Sequence, residues 1–276
     1  MRICALIAAR NEGEKLERCI RHLRAQGLCV AVIDNESSDH TSAFLDSLSS
    51  EVLVHREFYP YPGFYDWTGL LAVKEKIATS LSADWLIHVD ADEIPEAAAP
   101  FRTISEGVEA ADHLGYNAIN FDEFVFVPEP DDDSPTADHP QTEPRHYYYF
   151  APEDNRLIRL WKRQSRIDLV ASGGHAVSFP DRRIYPRNFP LRHYIARSRR
   201  ELAEKYRHRV FSPAELARGW HMNRVGVGRQ PIRFPAASQL HECREDGQWE
   251  TSKPWKRHLI SIKRNSFVIT AVSLVT

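Results

Sequence analysis

Asp90, Asp92 and Glu93 fall within four residues, directly after the apolar run 85–89. Carboxylates spaced two apart in a polar turn suit a hard divalent cation, which prefers oxygen ligands and usually retains waters and ligand phosphates. A cation held there can neutralise a diphosphate as its bond to a transferred group breaks. The same residues also make an ordinary acidic turn or helix cap, so position decides between the readings.

Two further polar clusters share that setting. Asp34 and Asn35, followed by Ser37, Ser38, Asp39 and Thr41, close the apolar run 29–33, and Arg10-Asn11-Glu12 closes the run 3–8. A carboxylate at such a position accepts from a base N–H or a ribose hydroxyl, and the hydroxyls behind it suit a helix cap or an anion.

The elements that must position these clusters are legible through residue 95. The runs 3–8, 29–33, 51–55 and 85–89 have the length of buried strands. Between the first two, Leu16, Cys19, Ile20 and Leu23 repeat at helical spacing, with Asn11 and Glu14 as a capping pair and Gly27 as the stop. Phe44, Leu45 and Leu48 mark a second helix, and Leu70, Leu71, Ile77 and Leu81 a third over 66–81. Strand–helix alternation with short loops predicts a parallel sheet covered on both faces, with ligands bound beyond the carboxyl ends of its strands. All three polar clusters fall at such ends.

The second half is less regular. Strands are expected at 116–121, 124–127, 147–150, 157–162 and 166–171, and helices at 197–209 and 212–220. The acidic, Pro- and Ser-rich stretch 129–144 predicts a mobile surface loop. The apolar 266–276 predicts a last strand or packed tail. No repeat or linker divides the chain, so one domain spans 1–276, with 1–95 and 96–276 as its halves.

Taken together, Ala5-Leu6-Ile7-Ala8-Ala9-Arg10-Asn11-Glu12, Asp34-Asn35-x-Ser37-x-Asp39-x-Thr41 and Trp85-Leu86-Ile87-His88-Val89-Asp90-Ala91-Asp92-Glu93 resemble the family 2 glycosyltransferases. The resemblance covers about the first 95 residues. It implies a GT-A fold, meaning a Rossmann-like, mostly parallel sheet flanked by helices, here with a less regular α+β C-terminal half. It further implies a nucleotide-sugar donor (UDP-, GDP- or dTDP-linked), Mn²⁺ or Mg²⁺, and inversion at the anomeric carbon. Asp34 would contact the base, Asp90 the ribose or metal, and Asp92 the metal and diphosphate. Ala8, Arg10, Glu12, Asn35 and Ala91 would complete the nucleotide site. His175, between Gly174 and Ala176, is the candidate for a downstream metal ligand, against a His simply bonded within a tight turn.

Inverting transfer needs a group to take the acceptor hydroxyl's proton. Glu123, then Asp122, are the candidates, read as lying just past a strand end. Arg192, His193 and Arg197 are candidates for the diphosphate, because guanidinium and imidazolium suit phosphate oxygens. Arg197 can equally pair with Glu201 one turn on. The basic run 205–209 serves a phosphate or a solvated helix face, and His221 and Arg224 are open in the same way. Tyr59, Tyr61, Tyr65 and Trp67 crowd one loop, where they can stack on a base or sugar or pack the following helix.

A net charge of −2 across 276 residues excludes a global pull toward nucleic acid or acidic membrane. Cys4, Cys19, Cys29 and Cys243 match no zinc spacing and read as free thiols in a reducing compartment. The chain opens on an apolar strand with no room for a signal peptide, and no apolar run reaches the ~18–20 residues of a membrane span. The expectation is a cytoplasmic protein, with peripheral membrane contact allowed. The Gln-x-x-Arg-Trp motif of processive synthases is missing, which points to single-sugar addition, of hexosyltransferase class, onto a glycan or other hydroxyl. Two alternatives stand beside this: a degenerate binding or scaffold module, and a sugar nucleotidyltransferase. The latter would want a glycine-rich basic loop where this chain has Ala-Ala-Arg-Asn-Glu-Gly-Glu-Lys.

Overall fold

The computed structural model describes residues 1–128, 144–222, 224–227, 232–244 and 247–262. The expected α/β architecture is present. In chain order the elements are β1 (Ile3–Ala9), α1 (Gly13–Ala25), β2 (Cys29–Asp34), α2 (Thr41–Asp46), β3 (Leu53–Phe58), α3 (Trp67–Ser80), β4 (Trp85–His88), β5 (Glu93–Pro95), α4 (Ile104–His113) and β6 (Ala118–Val127). There follow β7 (His146–Phe150), β8 (Leu157–Lys162), β9 (Phe189–Tyr194), α5 (Arg199–Arg207), α6 (Pro213–Ala217), β10 (Ile232–Arg233), β11 (His241–Glu242) and β12 (Ser261–Ile262).

The sheet runs β11-β7-β6-β8-β4-β1-β2-β3, and β10 and β12 form a separate pair. Strands β3, β2, β1 and β4 are mutually parallel. Alternation along β1 explains why both faces are covered. Ile3, Ala5, Ile7 and Ala9 join Leu16, Cys19, Ile20 and Leu23 of α1 on one face. Cys4 and Leu6 join Leu70, Leu71, Ile77 and Ala78 of α3 on the other.

Beyond β4 the pairing is mainly antiparallel. One continuous strand, β6, replaces the two expected at 116–121 and 124–127. It pairs with β8 along Ala118–Phe121, with β7 along Glu123–Val127, and in parallel with β9 along Phe121–Phe126. Strand β9 also pairs with β5, setting His193 opposite Glu93. That insertion carries a C-terminal strand to the acidic turn after β4.

The sequence reading and the structure differ at further places, among them β5 and β9, which arise where no strand was expected. Residues 166–171 form no strand beyond an isolated bridge from Asp168 to Ser178, because the Leu169 and Val170 N–H groups donate to Glu75 Oε1 (2.5 and 3.1 Å). Ile167 and Leu169 still bury their side chains. Helix α4 arises where no element was expected. Asn11 does not cap α1: Glu12 holds the cap position without a side-chain bond, and Asn11 takes a positive φ of 53°. The expected loop and tail at 129–143 and 266–276 lie outside the described residues, and Pro144 lies within them. Among the described residues no helix is long and apolar enough to cross a membrane.

Candidate active site

The loops after β1 and β2 are stitched together. Asn11 Oδ1 accepts from the Ser38 N–H (2.7 Å), and Asp39 Oδ2 accepts from the Gly13 N–H (3.1 Å). Arg10 donates to the Asn35 and Glu36 carbonyls, both at 2.6 Å, and lies 3.7 Å above the Tyr61 ring. A Cβ at Gly13 would meet the His40 ring at 2.5 Å, so any larger residue there would have to displace that ring. Two of the polar clusters thus form one rigid rim.

The rim borders a cleft of about 1280 Å³. Ala8, Arg10, Glu12, Asn35, Asp90 and Ala91 line it, together with Asp92, Glu123, His175 and Arg197. Three expected residues do not. Asp34 is buried behind the wall, where Oδ1 accepts from the Ser37 N–H (2.9 Å) and Oδ2 faces Arg56 (3.4 Å). Asp122, next to Glu123 on a strand, projects to the opposite side and accepts from Tyr149 and Asn188 (2.9 and 3.0 Å). Arg192 pairs with Glu96 at 2.6 Å and lies over Trp249. Arg197 reaches the cleft with its charge already met by Glu14 and Glu201. Of the aromatic loop, Tyr61, Tyr65 and Trp67 line the cleft, and the Trp67 indole donates to the Gly173 carbonyl (2.8 Å).

The acidic turn is held from beneath. Glu93 is buried, accepts from the Asp90 N–H (2.9 Å), and receives Arg159 on both carboxylate oxygens at 2.6 Å. Burial works against the Arg159 charge, but Glu93 and Asp90 outweigh it and hold the guanidinium above its ordinary value. Glu93 is therefore a support for the turn.

Lys74 lies fully buried under the same turn, its Nζ 3.9 Å from Asp90 Oδ1 and 3.5 Å from His88 Nε2. Burial lowers its pKa to about 8, with Asp90 opposing the fall. In the unfolded chain the group titrates near 10.5. The unfolded state then binds the extra proton between those values, so stability rises with pH from about 8 to 10.5 and is lost again as pH falls through 8. The span corresponds to roughly 3 kcal/mol. Denaturant titrations of wild type and Lys74→Met across that range should diverge, with wild type gaining as pH rises. A pH-independent difference would show that Lys74 is not buried as a cation.

Glu123 sits mid-strand in β6, not at a strand end, and is 5% exposed. It is ion-paired with Arg156, and its Oε1 accepts from His193 Nδ1 at 2.7 Å. His193 Nε2 is left facing the cleft, 3.9 Å from Asp92 Oδ1. The resulting dyad joins a carboxylate to an imidazole whose far nitrogen is available to take a proton. Sequence spacing marked His193 only as a phosphate contact, because its pairing with Glu123 depends on β9 lying beside β6.

Asp92 is 6% exposed and meets the Lys205 ammonium, from α5, at 2.8 Å. Burial alone would raise its pKa, but Lys205, then His193 and Lys15, hold it well below the carboxylate range. His175 Nδ1 donates to the Ser172 carbonyl (2.9 Å). Asp90, Asp92 and His175 share the cleft. With an ammonium on Asp92, the arrangement does not fit the divalent ion that the resemblance implies.

Residues 4–121 match Glycosyl transferase family 2. This segment is family 2 glycosyltransferase-like. An uncharacterized glycosyltransferase of Rickettsia bellii is 32% identical over 92 residues, covering 33% of this chain and 28% of the relative. Its counterpart in Rickettsia felis is 29% identical over 92 residues, covering 33% and 29%. The match thus spans under a third of the length of these curated relatives. Among solved structures, S. aureus TarS aligns over 82% of this chain and 44% of its own, at 12% identity and a TM-score of 0.44. The complex of TarS 1-349 with UDP aligns over 75% and 63%, at 10% identity and a TM-score of 0.42. The family 2-like segment contains β1 to β5 and the start of β6, and with them Asp90, Asp92 and Glu93. His193 and Lys205 lie outside it.

Proposed function

We propose that this chain is a glycosyltransferase that moves one sugar from a nucleotide-sugar donor to an acceptor hydroxyl, with inversion and without processive polymer growth. The observation that carries the reading is the convergence of Arg10 to Glu12, Asn35 and Asp90 to Asp92 on one cleft beyond the parallel strands. The family 2-like segment supplies all of these residues. Residues 1–95 then form the donor half of a single domain, and 96–276 the acceptor half.

In this reading the acceptor oxygen attacks the anomeric carbon while the bond from that carbon to the diphosphate oxygen breaks on the opposite side. His193 Nε2 takes the hydroxyl proton. Glu123, bonded to Nδ1, fixes the ring and stabilises the imidazolium as it forms. This moves the proton-accepting role from Glu123, expected from sequence, to the histidine that it orients. The leaving nucleoside diphosphate withdraws with the bonding electron pair into a cleft rich in cationic side chains. The donor is UDP-, GDP- or dTDP-linked, and the acceptor is a glycan or another hydroxyl compound. Mn²⁺ and Mg²⁺ have no step in this scheme, because Lys205 holds Asp92.

Incubation with a panel of UDP-, GDP- and dTDP-sugars should release nucleoside diphosphate from at least one, slowly with water as acceptor. Asp90→Asn should abolish that release. A folded sample that binds a nucleotide but cleaves no donor, even with mixed glycan acceptors, would point to the binding-module alternative. Formation of a nucleotide-sugar from a sugar phosphate and a nucleoside triphosphate would point to the nucleotidyltransferase.

A further inference from the structure

The cations of the cleft divide into two groups. Lys15 is paired with Glu201, Arg156 with Glu123, Arg159 with Glu93, and Arg197 with Glu14 and Glu201. Arg209 and Arg224 also line the cleft, and neither has a carboxylate within ion-pairing distance among the described residues. Arg209 lies over the rings of Tyr65 (4.8 Å) and Tyr206 (5.3 Å), which leaves the edge of its guanidinium for another acceptor. It stands four residues after Lys205, just past the C-terminal end of α5.

Lys205 bridges Asp92 (2.8 Å) and Glu12 (3.2 Å), and so ties α5 to both the first and the third polar clusters. All three cations line the cleft together with Tyr206. Burial raises the pKa of Tyr206, yet Arg224, Lys205 and Arg209 together bring it below its ordinary value. Guanidinium groups suit phosphate oxygens as well, which they bind bidentately.

We propose that Lys205, Arg209 and Arg224 form a side-chain cradle for the leaving diphosphate, with Lys205 taking the position on Asp92 that a divalent ion would otherwise occupy. The proposal rests on the glycosyltransferase reading and assigns it a charge-neutralising device made wholly of protein. Asp92 then anchors Lys205 instead of ligating a metal. Group transfer is unchanged in its balance: the diphosphate oxygen keeps the electron pair of the broken bond, and the three cations meet the resulting charge.

Calorimetry with UDP, GDP and dTDP, each in EDTA and in Mn²⁺, tests the cradle. At least one nucleotide should bind in EDTA within a few-fold of its affinity in Mn²⁺. Arg209→Gln and Arg224→Gln should each weaken it about 10- to 100-fold, as loss of a charge-assisted bond does. Paramagnetic resonance of Mn²⁺ added to the protein alone gives a second readout. Wild type should show no Asp92-dependent Mn²⁺ site, and Lys205→Met should gain one. Nucleotide binding that vanishes in EDTA, or a wild-type Mn²⁺ signal removed by Asp92→Asn, would overturn the cradle and leave the donor reading standing. Binding of none of the three nucleotides under either condition would remove both. The EDTA comparison needs only wild type, so it stands even if Lys205→Met fails to fold.

Discussion

His193→Gln is expected to lower kcat by about 10²- to 10⁴-fold with donor affinity unchanged, the range that general-base catalysis contributes. The ring touches the reacting hydroxyl in the proposed scheme, whereas the nucleotide lies against the rim after β1 and β2 and the turn after β4. Glu123→Gln should cause a loss of the same order, because the carboxylate acts through the ring that it holds at 2.7 Å. Groups that work as a unit are non-additive, so the double variant should be no slower than the worse single. Losses that multiply would show two independent roles. A rise in KM with kcat intact would place His193 in binding, closer to the phosphate contact expected from sequence.

The second large effect concerns stability. Removing one member of a buried ion pair strands its partner's charge, at a cost of about 3–5 kcal/mol. Arg159 and Glu93 are 6% and 2% exposed. Glu93→Gln and Arg159→Met should each lower stability by that amount in denaturant unfolding. A double replacement by apolar residues should recover much of the loss, since desolvation of both charges is then avoided. The recovery would be partial, because the Asp90 N–H also loses the acceptor that Glu93 provides. Single variants within 1 kcal/mol of wild type would show the pair to be hydrated.

The fold was legible as far as its determinants were local. Strand–helix alternation through β4 could be read because each buried strand is a continuous apolar run and α1 repeats at 3.6-residue spacing. The three strand-end clusters followed from that register alone. What escaped depends on distant partners. Residues 166–171 look like a strand, but Glu75, nearly a hundred positions away, captures their N–H groups. Helix α4 has a glycine at its centre, and Gly107 is there because Phe189 packs where a Cβ would sit, at 2.4 Å.

The site divides in the same way. Asp90, Asp92, Arg10 and Asn35 line the cleft, as their spacing suggested, because the turns that present them are local. Asp34 stands at the expected strand end but is buried and does not line the cleft. Its carboxylate closes the turn through Ser37 and faces Arg56, which sequence proximity cannot reveal. Asp122 and Glu123 could not be separated until one continuous strand set them on opposite sides of the sheet. The roles of His193, Lys205, Arg209 and Arg224 depend on where β9 and α5 return to the acidic turn. The only signal in the sequence was an excess of basic residues in that region, which a solvated helix face would also produce.

A crystal structure of the chain with a bound nucleoside diphosphate tests the central claim most directly. The account predicts the nucleoside against Ala8 to Arg10 and Asn35, with the diphosphate between the Asp90–Asp92 turn and the basic side of the cleft. A nucleotide bound elsewhere on the molecule, or a cleft that stays empty at saturating nucleotide, would contradict it.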